Sequence, residues 1–154
     1  MDLGDLIRLD AVIPNLRSRG KKALLAEITA RAGELLKIDH GLIFEAVWRR
    51  ETLSSTGIGR GIAIPHARTP QVRAMFGLFG RLEHAIDFEA MDDQPVDLVF
   101  LLLAPESAGA DHLQALARVS RLMRDQATLE RLRGSRARAA MYSVLTEPST
   151  SNAA

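Results

Sequence analysis

The sequence predicts an α/β fold, with a mixed β-sheet flanked by helices. Apolar residues with helical spacing lie toward both ends of the chain, while the middle is rich in Val, Ile, Leu and Phe. The predicted order of helices, strands and helices is typical of helices packed on a mixed sheet. The run Leu98–Leu103 is apolar at every position, as expected for a central strand with both faces buried.

Two helices are predicted in the first third of the chain. Apolar residues recur at helical spacing across Lys21–Ile38, so this segment should form an amphipathic helix, although Gly20 is a weak start for it. Asp39 should cap a second helix, because its carboxylate can accept hydrogen bonds from the free amides of the first turn. The second helix should end at Arg49-Arg50-Glu51. Its inner face should contain Leu42, Ile43, Ala46 and Val47.

The middle of the chain predicts four strands. Ser and Gly residues concentrate in Ser54–Gly61, which is expected to be a loop leading into a strand at Ile62–Ile64. Three further strands are predicted at Met75–Leu82, Ala85–Glu89 and Val96–Leu103, with turn residues between them. The order in which these strands pair does not follow from the sequence.

Two more helices are predicted after the strands. Following a loop at Pro105–Ala110, apolar residues at helical spacing mark a helix that reaches Met123, with Asp111 as its cap. A short last helix is expected at Ala139–Leu145. Because 154 residues is a usual length for one domain, residues 1–146 are assigned to a single domain. Residues 147–154, rich in Ser, Thr and Ala, are expected to form a disordered tail.

Charge and cysteine content exclude several classes of protein. Twenty Lys and Arg residues against nineteen Asp and Glu leave a net charge of +1, so no overall field attracts nucleic acid or anionic lipid. The basic clusters Arg17–Lys22 and Arg131–Arg138 lack interleaved aromatic residues and are interpreted as solvated faces. The absence of cysteine excludes disulfides, thiolate zinc sites and thiol nucleophiles. No signal peptide or membrane-spanning run is predicted, so a cytoplasmic protein without membrane insertion is expected.

The segment Ser54–His66 has the residues best suited to chemistry. Its glycines can expose backbone amides, and the hydroxyls of Ser55 and Thr56 add donors, so the segment can line a concave anion site. Pro65 fixes its own backbone angle and restricts the preceding residue, which narrows the directions available to His66. An imidazole aimed into an anion site indicates phosphoryl chemistry.

Familiar glycine and metal motifs do not account for this segment. The dinucleotide fingerprint needs G-x-G-x-x-G at the start of a helix, whereas the spacing here is G-x-G-x-G and the continuation ends at a proline. The P-loop needs a lysine, and none follows Gly61. The G-x-S-x-G elbow of esterases and the H-E-x-x-H pair of metal hydrolases are also absent. Neither a cofactor nor a metal site is therefore expected.

A neutral histidine is the predicted nucleophile. Because the ordinary pKa of an imidazole is about 6.5, His66 has a free nitrogen lone pair at neutral pH with which to attack a phosphoryl group. Arg50 can supply a forked cationic donor to the phosphoryl oxygens. His112 lies beside a predicted helix start, where free amides favour an anion. Simpler roles stay open for two of these residues, since Arg50 can merely solvate a helix end and His112 can merely cap one.

His40 and His84 belong to no motif. Both are expected on the surface or in loops.

Three segments of the sequence carry a family resemblance. They are Arg50-Glu51, Ser55-Thr56-Gly57-Ile58-Gly59 and Gly61-Ile62-Ala63-Ile64-Pro65-His66. Together with Pro95–Phe100 and the D-H-L-x-x-L-A pattern at Asp111–Ala117, they resemble enzyme IIA proteins of the fructose/mannitol class of the phosphotransferase system. The similarity spans roughly Leu6–Leu145, and as a single-domain form the chain most resembles the nitrogen-regulatory members of that class.

The resemblance implies the mixed-sheet fold of that class and a phosphohistidine at His66, formed on the outer ring nitrogen. It implies that His112 helps to hold the phosphoryl group and that Arg50 is the active-site arginine. The predicted phosphate-binding residues are Ser55, Thr56, Gly57 and Gly59. Ser54 and Ala67 stand where glycine is common in the class, which affects loop stiffness and access but leaves the nucleophile in place.

Two functions follow from the resemblance. The first is a regulatory phosphocarrier that takes a phosphoryl group from a nitrogen-type histidine phosphocarrier protein and controls target proteins, with potassium transport or a sensor kinase as candidate targets. The alternative is a sugar-transport enzyme IIA that passes the group to an enzyme IIB domain. A third class, a binding module without transfer, would be expected to lack Arg50 or His66, and both are present.

Overall fold

A six-stranded mixed sheet forms the framework of the computed structural model, which describes residues 2–148. The strands are β1 (Ile7–Leu16), β2 (Gly57–Gly59), β3 (Ile62–Ala63), β4 (His66–Arg68), β5 (Phe76–Ile86) and β6 (Val96–Ala104). The helices are α1 (Lys21–Leu36), α2 (His40–Leu53), α3 (Ala110–Leu122), α4 (Gln126–Gly134) and α5 (Arg138–Leu145), with short 3₁₀ helices at Leu3–Asp5 and Glu106–Ala108. The predicted fold class is confirmed. Across residues 2–148 no helix combines the length and the apolar character needed to span a bilayer.

Strand β6 lies in the middle of the sheet, and eight of its nine residues are buried. It pairs with β5 in antiparallel orientation and with β3 and β4 in parallel orientation, and β1 lies parallel to β5 at one edge. The main strand order is β1-β5-β6-β3-β2, with β4 beside β6. Every residue of Leu98–Leu103 is fully buried, which confirms the prediction that this run is covered on both faces.

Strands β3 and β4 run along β6 in the same direction and are separated by Ile64 and Pro65. Ile62 pairs with Leu98, and His66 pairs with Leu102. Proline has no N–H to give to the ladder, but the carbonyl of Pro65 accepts from the N–H of Leu102 at 3.0 Å. His66 is therefore fixed beside β6, the central strand of the sheet.

The glycine-rich segment contains a β-hairpin, so the loop predicted over Ser54–Gly61 was wrong for Gly57–Gly59, which form β2. Strands β2 and β3 are antiparallel and are joined by Arg60 and Gly61, whose φ angles are 59° and 82°. Two positive φ angles in a two-residue connection are the geometry of a type I′ turn, which matches the twist of paired strands. The glycine spacing thus reflects the requirements of a turn.

We expect Gly61→Ala to lower the free energy of unfolding by about 1–2 kcal/mol, because an alanine is strained at positive φ. The added Cβ would also lie 2.5 Å from Nη2 of Arg133 and 2.8 Å from Oδ1 of Asp97. These two side chains form a bidentate ion pair, with N–O distances of 2.9 and 2.8 Å. Urea unfolding measures the effect. Gly134→Ala is the matched control, because its Cβ would meet no described atom within 4 Å, and equal losses in both variants would contradict the prediction.

The two segments predicted as separate strands, Met75–Leu82 and Ala85–Glu89, overlap one continuous strand, β5, which runs from Phe76 to Ile86. The register between β5 and β6 shifts between Arg81 and Ile86, so the polar residues there mark an irregularity within a continuous strand. The chain then leaves the sheet, and the carboxylate of Asp87 accepts from the N–H of Glu89 at 2.9 Å. The strand predicted at Ala85–Glu89 was therefore wrong beyond Ile86.

Strand β1 and strand β4 were not predicted. Asp10 and Pro14 interrupt the apolar pattern of β1, and its register with β5 shifts twice. Both irregularities are tolerated because β1 lies at the edge of the sheet, where a strand can include a proline. Strand β4 has only three residues, too few to show alternation.

The predicted helices are present with shifted ends. α1 stops at Leu36 because Lys37 has the left-handed φ of 59°. Asp39 caps α2 as predicted, accepting from the N–H of Gly41 at 2.8 Å. α2 continues to Leu53, and its inner face includes Ile43 and Val47 but not Leu42, which is 43% exposed.

Two details of the C-terminal helices differ from the sequence prediction. α3 begins at Ala110 after Gly109, so Asp111 lies in the first turn and is not the cap. α4 was not predicted, because only two of its residues, Leu129 and Leu132, are buried. Two apolar positions among charged residues are too few to show helical periodicity.

The first residue of the predicted tail, Glu147, makes a defined contact with α4. Glu147 makes a bidentate ion pair with Arg131 at 2.6 and 2.8 Å. Residues 149–154 lie outside the described part of the chain, so the disordered tail stays a prediction.

Candidate active site

His66 lies on β4 and lines an open cavity of about 400 Å³. Its Nδ1 is 2.8 Å from the carbonyl oxygen of Ile64. A carbonyl oxygen can only accept a hydrogen bond, so the neutral ring donates through Nδ1–H and keeps its lone pair on Nε2. The backbone therefore selects the outer ring nitrogen of His66 as the possible nucleophile.

His112 faces His66 from the first turn of α3. The two ring centroids are 5.7 Å apart, and the rings are inclined by 57°. The side chain of His112 is buried, and its Nε2 has no hydrogen-bond partner among residues 2–148. Because an unsatisfied buried polar atom costs free energy, this nitrogen is suited to a hydrogen bond with a bound group. His112 can meet that need by donating to a group bound at His66.

The surroundings lower the pKa of both rings. Burial is the main cause of the lowered pKa of His66, and the positive charge of Arg50 adds to it, while the Ile64 carbonyl and Glu51 act in the opposite direction. Burial also lowers the pKa of His112, helped by His66 and by the positive charge of Arg68. Both rings are thereby kept neutral at neutral pH.

We expect His66 and His112 to titrate below the ordinary imidazole pKa of about 6.5. Since the pKa values are lowered in the folded state, the unfolded chain binds protons first, and the free energy of unfolding falls as the pH drops below about 6.5. An NMR titration of the ring C–H resonances measures the midpoints. The unfolded chain in urea is the reference, and midpoints at or above the reference would contradict the prediction.

Among the described residues, Arg49, Arg50 and Arg68 give the cavity its positive charge. Nη1 of Arg50 donates to the carbonyl oxygen of Ser54 at 3.0 Å, which uses one of the five N–H groups of the guanidinium. Arg49 also contacts Glu45 at 3.5 Å. Arg50 was predicted from the sequence, whereas Arg68 was not. The spacing of His66 and Arg68 could have revealed it, because residues two apart on a strand share a face.

Ser55, Gly57 and Gly59 were predicted to bind phosphate. The hydroxyl of Ser55 donates to the carbonyl of Phe88 at 3.2 Å and accepts from the N–H of Gly57 at 3.1 Å. Gly57 and Gly59 both belong to β2. In the described part of the chain, none of the three lines the cavity at His66. Their contacts are those of residues that fix the hairpin, and phosphate binding by them stays a prediction.

Thr56, the fourth predicted phosphate-binding residue, is buried. Its N–H donates to Oε2 of Glu51 at 2.7 Å, and its hydroxyl donates to Oε1 of the same carboxylate at 2.6 Å. Thr56 is also absent from the described lining of the cavity. The structure thus gives Thr56 a buried partner, and phosphate binding by it stays a prediction as well.

Exposed apolar side chains border the cavity. Leu53 is 78% exposed and Leu113 is 67% exposed, and Ala46 and Leu116 also line the cavity. Apolar side chains that stay in water beside a polar site are typical of a surface that contacts another protein. His40 and His84 are exposed and do not line this cavity in the described chain.

The fold and the cavity together define an α/β domain with a cationic, histidine-centred site. The chain belongs to the family of phosphoenolpyruvate-dependent sugar phosphotransferase system EIIA 2 domains, whose model matches residues 5–147. This confirms the family resemblance found in the sequence.

The relatives cover nearly the whole chain. It is 52% identical over 148 residues to a nitrogen regulatory protein of Bradyrhizobium diazoefficiens, a match that covers 96% of this chain and 97% of that protein. It is 36% identical over 143 residues to a fructose-specific EIIA component of Haloferax volcanii, covering 93% and 90%. The crystal structure of nitrogen regulatory protein IIA-Ntr from Neisseria meningitidis is similar with a TM-score of 0.88 and 31% identity, covering 94% and 99%.

Proposed function

We propose that the protein is a regulatory phosphocarrier of the nitrogen-related phosphotransferase system that accepts a phosphoryl group on His66 from a histidine phosphocarrier protein. The observation that carries this proposal is the hydrogen bond from Nδ1 of His66 to Ile64, which leaves Nε2 free beside the unpartnered Nε2 of His112. Membership of the EIIA 2 family supports phosphotransfer, and the 52% identity to a nitrogen regulatory protein supports the regulatory branch.

The chemical step is a transfer between two imidazoles. The lone pair on Nε2 of His66 attacks the phosphorus of the donor phosphohistidine, the new N–P bond forms, and the electron pair of the old N–P bond returns to the donor ring. The proton on Nδ1 of His66 stays in its bond to Ile64, which stabilises the positive charge that develops on the ring. No water or metal takes part in this step.

Two side chains stabilise the oxygens of the group in transfer. The guanidinium of Arg50 supplies positive charge and N–H donors, and Nε2 of His112, which has no hydrogen-bond partner among residues 2–148, supplies a further N–H donor. Donors held in place before the reaction stabilise the transition state more than mobile water does. The site needs only to bind the group and present the nucleophile.

The apolar border of the cavity suits a protein donor. Leu53 and Leu113 can be covered when a partner docks, while Arg49 and Arg68 select an acidic or phosphorylated surface. Once attached, the phosphoryl group adds about −1.5 to −2 charges to the middle of this surface. Target proteins can therefore distinguish the two states of the site, and potassium-transport proteins and a sensor kinase are the candidate targets.

Phosphorylation in a reconstituted system tests the proposal. The protein is incubated with phosphoenolpyruvate, an enzyme I kinase and a carrier protein, and its mass is measured before and after acid treatment. We expect one acid-labile phosphoryl group, taken up faster from a nitrogen-type carrier than from a sugar-type carrier. Faster uptake from the sugar-type carrier, followed by transfer to an enzyme IIB domain, would favour the sugar-transport alternative. No uptake from either carrier would overturn the proposal.

A further inference from the structure

Glu51 is a buried carboxylate with no direct part in the proposed transfer. It follows Arg50 on α2 and is 4% exposed. Both of its oxygens are occupied by Thr56, and Nζ of Lys21 lies 3.1 Å from Oε2. A buried carboxylate is costly unless a cation and hydrogen bonds compensate for its lost hydration, and Glu51 has both. Its contacts join α1, α2 and the segment that leads into β2.

Two hydrogen bonds, one between backbone groups and one from the His66 side chain to the backbone, continue from this contact to the nucleophile. The carbonyl of Thr56 accepts from the N–H of Ile64 at 3.0 Å. The carbonyl of Ile64 accepts from Nδ1 of His66 at 2.8 Å. Each step connects through a single residue, so the carboxylate of Glu51 and the ring of His66 lie at the two ends of one hydrogen-bonded path. A shift of Thr56 must change the position of the carbonyl that orients the ring.

Glu51 also fixes the helix that presents the arginine. Arg50 and Glu51 are consecutive, and Glu51 ties the last turns of α2 to Thr56. The carboxylate of Glu51 therefore fixes two parts of the site relative to each other. One is the end of α2 that presents Arg50, and the other is the backbone at Thr56, which leads to the carbonyl that orients His66.

We propose that Glu51 is a positioning residue, which holds Thr56 and thereby sets the orientation and the tautomer of His66. This inference rests on the proposed function, since it assigns a role in the same transfer. Glu51 acts through Thr56 and Ile64 and does not touch the phosphoryl group. A misplacement of a reacting group by about 1 Å can slow a reaction by about a hundredfold. Even a small displacement of the His66 ring should therefore be measurable as a lower rate of phosphorylation.

The test compares two substitutions of Glu51. Glu51→Ala removes both bonds to Thr56 and should slow phosphorylation by about ten- to a hundredfold. Glu51→Gln removes the charge but can keep the contact, because its amide oxygen can accept from the N–H of Thr56 while its NH₂ group donates to the hydroxyl oxygen. We expect Glu51→Gln to recover most of the rate.

Two further variants separate this role from general effects. Thr56→Val removes one of the two bonds and should slow the transfer less than Glu51→Ala, with fold and backbone retained. Glu89→Gln is the matched control, because Glu89 contacts Lys21 at 3.4 Å, has a side chain that is 76% exposed, and does not bond to Thr56. Its rate should equal that of the unsubstituted protein.

Nitrogen-15 NMR of the His66 ring provides a readout that does not depend on phosphorylation. In the unsubstituted protein we expect the tautomer protonated on Nδ1, and in Glu51→Ala a mixture of both tautomers, with Glu51→Gln and Glu89→Gln close to the unsubstituted protein. Unchanged His66 signals in both Glu51→Ala and Thr56→Val would overturn the proposal, whatever their rates. If the unsubstituted protein takes up no phosphoryl group, the proposed function fails, and the NMR comparison still decides whether Glu51 orients the ring.

Discussion

His66→Ala is expected to take up no acid-labile phosphoryl group from any carrier. The imidazole of His66 lines the cavity, and its bond to the Ile64 carbonyl leaves Nε2 as the nucleophilic atom, whereas alanine has no lone pair to put in its place. The loss should be complete rather than partial, because the substitution removes Nε2, the atom to which the phosphorus bonds. Groups that only donate hydrogen bonds to the phosphoryl oxygens cannot take over that role. Mass measurement before and after acid treatment checks the result.

His40→Ala and His84→Ala are the matched controls for this prediction. Both histidines are exposed and lie away from the described lining of the cavity, so these variants should be phosphorylated at the rate of the unsubstituted protein. An acid-labile group on His66→Ala would assign the nucleophile to another residue.

His112→Ala is expected to slow phosphorylation by about a hundredfold without abolishing it. The substitution removes the buried ring that we propose donates to the phosphoryl oxygens but leaves His66, its bond to Ile64 and Arg50 in place. Alanine is favourable in a helix, so α3 should persist. A single-turnover time course with an excess of phosphorylated carrier measures the rate.

The control for His112 is a variant that keeps a donor. His112→Gln retains an N–H group and should lose less of the rate than His112→Ala. Urea unfolding of both variants separates a loss of donor from a loss of stability. If His112→Ala reacts at the unsubstituted rate, the second histidine is a packing residue and the unpartnered nitrogen has no part in the transfer.

Sequence patterns predicted two kinds of feature correctly. The first kind depends on chemistry between neighbouring residues, and the second is a segment that is buried on every side. Asp39 caps α2 because a carboxylate at that position satisfies free amides whatever surrounds it. Leu98–Leu103 forms the central strand because a run without polar residues has no face for water. Strand β1 was missed because Asp10 and Pro14 are tolerated only at an edge, and an edge is a property of the assembled sheet.

The candidate site was predictable as a motif but not as an arrangement. The proline before His66 and the glycines near it are visible in the sequence, and they led to the right family. The parallel pairing of β4 and β6 brings His66 to the same edge as the start of α3, and this pairing does not follow from residue patterns. The contact between Thr56 and Glu51 depends on how α2 packs against the hairpin. The sequence does not show this packing, so Glu51 was not predicted as a partner of Thr56, and Thr56 was predicted to bind phosphate.

The parallel pairing of β4 with β6 also determines when the site comes into existence during folding. Parallel strands cannot be joined by a tight turn, so this contact closes a long stretch of chain and forms only after that entropy cost is met. Contacts of high sequence separation slow the search for the native state. A nascent chain that lacks α3 contains His66 but not His112, so we expect the full rate of phosphorylation only after α3 has been synthesised and packed beside β4.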